Sequence, residues 1–214
     1  MTREYYSEQL CKLNGELIAM GDLCEEAMAL VLKALREKDE IIAEGVHKIE
    51  EEIDQKERDI ESMCMKLLLR QQPVAGDLRN ISSALRMIAD MERIGDQTAD
   101  IADAAKYLTS LQFEVHPAIF IMGDMVSKMV DDSVNAFVRR DKKLARQVIN
   151  ADDMVDELFN QLKEELVDEI KNGTNRDHAG YQLDMLMIIK YLERIGDHAT
   201  NIGEWVIYSI EGQK

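Results

Sequence analysis

The chain has 214 residues, of which 46% are hydrophobic and 5% aromatic, and its formal net charge is −16. This negative field repels phosphate backbones, which argues against general nucleic-acid binding. The longest apolar runs, such as Ala118 to Met122, are too short to span a bilayer, and we expect no signal peptide because no basic segment followed by an apolar stretch opens the chain. Few aromatic residues and abundant Leu, Ala, Glu and Lys favour an all-α fold.

Apolar residues recur at spacings of three and four, the period of amphipathic helices, along six segments. These segments run from about Tyr5 to Lys38, from Glu40 to just before Pro73, from Gly76 to Ser110, from Ile119 to Arg139, from Lys142 to Lys171 and from Asp177 to Ile210. Asp39 is placed as the N-cap of the second helix, and Asp141 repeats that role 102 positions later. Asn-Gly-Thr-Asn at positions 172–175 predicts the turn after the fifth helix.

A repeated pentapeptide divides the chain into two halves. Glu-Arg-Ile-Gly-Asp at positions 92–96 recurs without change at positions 193–197, which is 101 residues later. A repeat of this length indicates one small domain present twice rather than a solenoid of short units. We therefore predict two tandem, pseudo-symmetric three-helix bundles, one over residues 1–112 and the other over residues 113–214.

Acidic residues concentrate on one face of the predicted helices in the first half. Glu92, Asp96 and Asp100 lie at i, i+4 and i+8 on the third helix. The second helix carries the pair Glu50 and Asp54. Counting outward from the turn between these antiparallel helices places that pair beside Glu92 and Asp96, because both helices rise equally per residue.

The second half repeats this arrangement. Asp152 and Asp156 follow the first acid pair at an offset of 102, and the same counting places them beside Glu193 and Asp197. Four carboxylates within a few ångströms cannot all remain ionised without nearby positive charge. An all-oxygen donor set suits Mg²⁺, Ca²⁺, Mn²⁺ or iron. A basic partner and a merely solvated acidic face remain the alternatives.

Glycines and arginines lie among these acids. Gly95 and Gly196 each cost about 1 kcal/mol relative to alanine inside a helix. Close backbone approach, room for an ion and tight helix packing are the possible reasons. Arg93 and Arg194 are expected to form surface ion pairs with neighbouring acids, and binding of an anion is the alternative.

Other chemistry has weaker support. Cys11, Cys24 and Cys64 lack metal-binding spacing, so we expect reduced, buried thiols in a cytosolic protein. A Glu-x-x-His spacing ends at His47, but the second copy that a di-iron centre needs is missing. His178 and His198 are expected to be solvent-exposed. No nucleotide-binding motif and no distinguishable catalytic set is present in the sequence.

Three features of the chain resemble the PhoU family, the phosphate-transport regulatory proteins of bacteria and archaea. Gln-Pro-Val-Ala-Gly-Asp-Leu-Arg at positions 72–79 is similar to the family's segment between helices two and three. The sequences at positions 92–96 and 193–202 are similar to its paired acidic motifs. The duplicated three-helix plan covers nearly the whole chain.

The resemblance implies that each chain forms a pair of three-helix bundles and that the protein is usually a homodimer. It also implies multinuclear iron or zinc clusters on the acidic motifs in some members. It carries metal binding over to ten positions, which are Glu50, Asp54, Glu92, Asp96, Asp100, Asp152, Asp156, Glu193, Asp197 and Asn201. Asn201 replaces the carboxylate of Asp100, so the second cluster is expected to hold metal less tightly. The second half also has Asn-Gly where the first has Gln-Pro, which affects the loop rather than the site.

The resemblance also implies a regulatory function. PhoU-like proteins couple a phosphate ABC transporter to a membrane sensor histidine kinase and repress the phosphate-starvation response, whereas some relatives accompany low-affinity phosphate transporters. We therefore expect a non-enzymatic cytoplasmic adaptor that meets the membrane only through its partners. The competing hypotheses are a carboxylate-bridged metalloenzyme and a structural helical protein with solvated acidic faces.

Overall fold

The computed structural model describes the backbone of residues 3–71, 75–109, 114–173 and 176–212, and the side chains of residues 8–69, 75–106, 114–173 and 176–212. These residues form six helices and no strand: α1 (Arg3–Glu37), α2 (Glu40–Gln71), α3 (Ala75–Thr109), α4 (Pro117–Arg139), α5 (Lys142–Asn172) and α6 (Arg176–Glu211). The all-α prediction is confirmed, and each predicted helix end lies within two residues of the observed one. The predicted turns at 72–74 and 174–175 and the boundary at 112 lie outside the described residues.

The helix starts follow the capping chemistry of the sequence. Asp39 Oδ1 accepts hydrogen bonds from the backbone N–H groups two and three residues further on, at 2.8 and 3.2 Å. Asp141 does the same at 2.9 and 3.0 Å, so both predicted N-caps are confirmed. Helix α4 begins two residues earlier than predicted because Pro117 suits the first helical position, where no N–H is needed, and His116 caps it.

The helices form two bundles that share one continuous core. Helices α1–α3 pack together in the first bundle and α4–α6 in the second. Between the bundles, α1 packs against α4 and α3 packs against α6. In the described part of the chain, α2 and α5 contact only helices of their own bundle. The acidic faces carried by α2 and α5 therefore lie away from the α1–α4 contact.

Two glycines show that the bundles are related by a pseudo-two-fold arrangement. Gly21 on α1 lies where an added Cβ would approach Val134 of α4 to 3.2 Å. Gly123 on α4 lies where an added Cβ would approach Leu32 of α1 to 2.4 Å. Gly123 lies 102 positions after Gly21, and Val134 lies 102 positions after Leu32. Each bundle therefore supplies the glycine of one contact and the branched side chain of the other. The α1–α4 crossing thus depends on small residues at equivalent places.

The three thiols occupy different environments. Cys24 and Cys64 are buried, as predicted, and burial raises the pKa of each thiol to about 12. Cys11 is exposed, so the prediction of a buried thiol there is wrong. Its neighbours Leu10 and Leu13 turn towards the core, and Cys11 therefore lies on the outer face of α1. None of the described helices combines the length and apolar character that crossing a bilayer would require.

Candidate metal centre

The first acidic group forms between α2 and α3. Carboxylate oxygens of Glu50, Asp54 and Asp96 all lie within 4.8 Å of one another, and each of these side chains is partly buried. The helix register that was counted from the sequence therefore brings these three together. Glu92 lies in the same field, since Asp96, Glu57 and Asp54 all act to raise its pKa. Glu57, three residues beyond Asp54 on α2, also belongs to this acidic face and was not predicted from the sequence.

The electrostatics of this group disfavour full ionisation. Burial and then the charges of Asp54 and Asp96 raise the pKa of Glu50. Burial and then Asp96 raise the pKa of Glu92. Asp100 also has a raised pKa, from burial and then from the Asp96 charge. Partial burial and the neighbouring like charges both disfavour the ionised form of these carboxylates. A cation bound here would offset that repulsion.

Arginines at the rim offset part of this repulsion. Arg93 Nη1 donates to Asp96 Oδ2 at 2.7 Å, and its Nε lies 3.3 Å from Glu92 Oε2. Arg58 Nη1 lies 3.3 Å from Asp54 Oδ2. The prediction that Arg93 pairs with neighbouring acids is confirmed. The charge of Arg194 on α6 partly opposes the rise in the pKa of Asp100, which connects the second half to the first acidic face.

The second acidic group forms between α5 and α6. Burial, followed by the charges of Asp197 and Asp156, raises the pKa of Asp152 to about 6. Burial and then Glu193 raise the pKa of Asp197. The predicted register is therefore present here too. Within the described residues, however, three donor atoms as close as 4.8 Å are found in the first half and not in the second.

The second acidic group has a lysine as its neighbouring cation, where the first has arginines. Lys190 Nζ donates to Glu193 Oε2 at 2.5 Å and also lies 5.4 Å from the centroid of the Phe159 ring. The Glu193 side chain is 14% exposed, less than Glu92 in the first half at 21%. The two acidic groups are thus equivalent in position but differ in their neutralising partners.

Asn201 lies at the contact between the bundles. Its Nδ2 donates to Asp90 Oδ1 of α3 at 3.2 Å, and His198 Nδ1 lies 2.9 Å from the same oxygen. Within the described part of the chain, Asn201 is the only one of the ten predicted ligands that forms a hydrogen bond to the opposite bundle. Its role as a metal ligand stays a prediction. Asp90 was missed because it is 108 residues from His198 and no local pattern links the two.

The histidines are not solvent-exposed as expected. His198 is 21% exposed and pairs with Asp90. His178 is 20% exposed, with Nε2 lying 3.6 Å from Glu169 Oε2 and 3.4 Å from Gln182 Nε2. Both predictions are wrong because each ring lies between two packed helices. His47 instead lies 3.0 Å from Asp103 Oδ1, so the lone Glu-x-x-His spacing contributes an ion pair between α2 and α3.

The residues of the first group fit a metal by their chemistry. Three partly buried carboxylates from two helices form an all-oxygen donor set. Such sets suit hard divalent cations and iron, and zinc also accepts carboxylate ligands although it more often takes nitrogen or sulfur. Glu50, Asp54 and Asp96 would hold the ion, and Glu92 is placed to join them.

The two motif glycines lie in different surroundings. A Cβ at Gly95 would lie 3.2 Å from Ile53 Cδ1, a fully buried side chain. A Cβ at Gly196 would meet Val155 at 3.5 Å and Asp152 Oδ1 at 3.6 Å, which are ordinary contacts. Tight helix packing therefore accounts for Gly95, whereas Gly196 is not required by packing.

We expect Gly196→Ala to stabilise the metal-free protein by up to about 1 kcal/mol, because alanine is the better helix former and its methyl group fits. Gly95→Ala should gain much less, since Ile53 has to shift. Chemical denaturation in chelator measures both free energies of unfolding. Equal gains for the two variants would contradict the packing difference.

We expect Asp152→Asn to stabilise the metal-free protein at pH 7.5 and to have little effect at pH 4. The folded-state pKa of Asp152 is raised to about 6, so protonation stabilises the fold below the ordinary value of 3.8, and this stability is lost as the pH rises through 6. Solvent screening limits the gain at high pH to about 1 kcal/mol. The control is Asp124→Asn, which makes the same change at an exposed position of α4. A gain that is independent of pH would contradict the prediction.

Comparison with known proteins identifies the family. The family model described as the PhoU domain matches residues 17–105 and again residues 119–206. The chain belongs to the PhoU family. The resemblance and the duplicated three-helix plan predicted from the sequence are confirmed, and the two matches correspond to the two bundles.

Several relatives are similar to the chain over its whole length. A phosphate-specific transport system accessory protein PhoU homolog of Clostridium acetobutylicum is 37% identical over 100% of this chain and 98% of its own. The crystal structure of PhoU from Pseudomonas aeruginosa is 34% identical and has a TM-score of 0.92, covering 97% of this chain and 100% of that one.

A second solved structure has a regulatory name. The phosphate transport system regulatory protein PhoU from Streptococcus pneumoniae is 28% identical and has a TM-score of 0.90, covering 97% of this chain and 98% of that one. PhoU proteins are accessory and regulatory proteins rather than enzymes, so the prediction of a non-enzymatic protein is confirmed by family membership.

Proposed function

We propose that this protein is an accessory protein of phosphate uptake that acts in the cytoplasm as an adaptor between a phosphate ABC transporter and a sensor histidine kinase. It represses the phosphate-starvation response when phosphate is plentiful. The observation that carries this proposal is the full-length similarity to relatives named as phosphate-specific transport system accessory proteins. Those names favour the ABC transporter over a low-affinity transporter as the partner.

The shape and charge of the molecule support an adaptor. Helices of 23 to 36 residues present long continuous faces, and the net charge of −16 suits docking on basic partner surfaces. A homodimer, as the family resemblance implies, would present each face twice.

Metal binding is the second part of the proposal. A cation held by Glu50, Asp54 and Asp96 would supply the positive charge that lets all these carboxylates stay ionised, with Glu92 and Asp100 beside them. Asp152, Asp156, Glu193, Asp197 and Asn201 form the equivalent set in the second half. The close spacing in the first half favours tighter binding there. Iron or zinc is our first expectation, followed by manganese, magnesium or calcium.

Binding to isolated partner domains tests the adaptor. We expect the purified protein to bind the cytoplasmic ATPase subunit of the phosphate transporter and the cytoplasmic part of the sensor kinase, both from the same organism. In biolayer interferometry, the binding signal for each partner should saturate with concentration. The ATPase subunit of an unrelated ABC importer is the control. Binding to neither partner in phosphate-replete buffer, with metal and with chelator, would overturn the adaptor proposal while leaving the metal proposal intact.

A further inference from the structure

A polar pocket of about 400 Å³ lies where the two bundles meet. Its lining includes Arg86 and Arg93 of α3 and Asn201 and Trp205 of α6, and every lining residue belongs to the described part of the chain. We call it the α3–α6 pocket. Both arginine side chains are exposed on the surface of α3, so the pocket is open to solvent.

Two guanidinium groups supply the positive charge of the α3–α6 pocket. The guanidinium carbon of Arg86 lies 5.8 Å from the centroid of the Trp205 ring, and no ion pair to Arg86 is found within the described residues. Arg93 pairs with Asp96 through Nη1 and with Glu92 through Nε. Because a guanidinium group has five N–H donors, both arginines keep donors for a bound anion.

Carboxylates also line the α3–α6 pocket. Glu57 of α2 and Asp90 and Glu92 of α3 bring three negative charges against the two positive charges of the arginines. By itself this balance is unfavourable for an anion. A divalent ion held by the first acidic group would reverse it, because the ion adds positive charge beside Glu92 and competes with Arg93 for the Asp96 carboxylate.

The combination of arginine and carboxylate selects among anions. In the described part of the chain, both hydrogen-bond partners of Asp90 contact Oδ1, with Asn201 Nδ2 at 3.2 Å and His198 Nδ1 at 2.9 Å, so Oδ2 is left to accept a further bond. Inorganic phosphate keeps a proton at neutral pH and can donate that bond. Sulfate has no proton and would oppose two acceptors. The α3–α6 pocket therefore favours phosphate over sulfate.

The internal repeat does not provide the same chemistry on the other side of the α3–α6 contact. At the offset of 101 that relates α3 to α6, Met187 stands in place of Arg86. Tyr191 stands in place of Asp90. A second pocket with a guanidinium donor and a carboxylate acceptor at these positions is therefore not encoded, and we expect one bound anion per chain.

We propose that the α3–α6 pocket binds inorganic phosphate when the first acidic group holds a divalent cation. Arg86 and Arg93 donate charge-assisted hydrogen bonds to the phosphate oxygens, a recognition for which the arginine fork is suited. Asp90 Oδ2 accepts the hydrogen bond of the phosphate hydroxyl. This inference rests on the metal binding proposed above, and it gives the metal a role, which is to permit phosphate binding at the junction of the two bundles.

Equilibrium dialysis of radiolabelled phosphate against the full chain tests the proposal. Portions of the protein, purified without an affinity tag, are loaded with manganese, zinc or ferrous iron and freed of excess metal, and a further portion is treated with chelator. We expect about one phosphate per chain in the metal-loaded protein, and a loss of affinity of roughly tenfold or more after chelation. Sulfate should compete roughly tenfold less well than phosphate. Elemental analysis of the same samples measures the bound metal.

A single arginine variant locates the site. In Arg86→Gln we expect phosphate affinity to fall roughly tenfold, with unchanged metal content because Arg86 forms no ion pair with the acidic group among the described residues. The matched control is Arg146→Gln, which makes the same change at an exposed position of α5. Trp205, the only tryptophan of the sequence, gives a second readout. Phosphate should change its fluorescence in the wild type and the control, and not in Arg86→Gln.

An Asp90→Asn variant tests the source of selectivity. Asparagine keeps the shape of the side chain but removes the charge that opposes sulfate, and its amide can donate to either anion. We expect the preference for phosphate over sulfate to be lost in Asp90→Asn and kept in the control Asp124→Asn. Circular dichroism confirms that the variants fold. An unchanged preference in Asp90→Asn would overturn the role given to its carboxylate.

The outcomes separate this inference from the metal proposal. Stoichiometric metal without phosphate binding would overturn the phosphate site and leave the metal proposal intact. Equal phosphate binding with metal and with chelator, equal competition by sulfate, or equal loss in Arg86→Gln and Arg146→Gln would also overturn the phosphate site. Tighter binding of glycerol 3-phosphate than of inorganic phosphate would replace the free ion with a phosphate ester and so overturn it. A wild type that retains none of the three metals would overturn both proposals.

Discussion

An Asp96→Asn, Asp197→Asn double variant is expected to lose nearly all bound metal. Protein purified without an affinity tag and loaded with iron or manganese should retain stoichiometric metal in the wild type and less than a tenth of it in the variant, by elemental analysis. Asp96 supplies one of the three clustered oxygens in the first half, and Asp197 is the equivalent residue in the second. Each asparagine keeps the shape but removes the charge that binds the cation.

The same variant should lose metal-dependent stability. Metal that binds only the folded state stabilises it by about 2.7 kcal/mol at a free concentration one hundred times the dissociation constant. The control is Asp22→Asn, Asp124→Asn, which changes one exposed acid on α1 and the acid at the equivalent position of α4. Stoichiometric metal retained in the Asp96→Asn, Asp197→Asn protein would contradict the assignment. Absence of metal from all three proteins would make the acidic faces partner-binding or solvated surfaces.

Gly123→Val is expected to destabilise the protein by about 3 kcal/mol, because overpacking a tight helix contact forces neighbouring side chains out of their preferred positions. An added Cβ at Gly123 already lies 2.4 Å from Leu32 Cδ2 and 2.9 Å from Cδ1, and valine adds two further methyl groups. For a chain of this size the midpoint of thermal unfolding should fall by roughly 6–12 °C. Chemical denaturation monitored by circular dichroism measures the free energy of unfolding.

A control glycine and a second-site change make this result specific. Gly15→Val is the control, because a Cβ added at Gly15 points into open space. We expect this change to be neutral or stabilising. Leu32→Ala should cost less in the Gly123→Val background than in the wild type, because it removes the side chain that the valine strikes. Additive losses in the double variant would indicate that the α1–α4 crossing does not depend on the Gly123–Leu32 contact.

Most of the fold could be predicted because the signals that define a helix, its apolar spacing and its capping residues, lie close together in the sequence. The spacing of apolar residues located all six helices, and Asp39 and Asp141 marked two helix starts by their capping chemistry. Equal rise per residue in antiparallel helices then placed Glu50 and Asp54 beside Asp96 without any knowledge of tertiary contacts. The acidic group of the first half was therefore predictable from its register alone.

Contacts between the bundles could not be predicted in this way. Asp90 pairs with His198 and Asn201 across the α3–α6 contact. From the sequence, His198 was predicted to be solvent-exposed and Asn201 to be a metal ligand.

The six helices, their grouping into two equivalent bundles and the face on which the acids lie all followed from the amino-acid sequence. Periodicity, capping and antiparallel register made this possible, because they depend on neighbours along the chain or across one hairpin. How the bundles pack, and which residues meet between them, became known from the three-dimensional structure alone. Those features arise from contacts between residues about a hundred positions apart, and no local pattern in the chain encodes the geometry of such contacts.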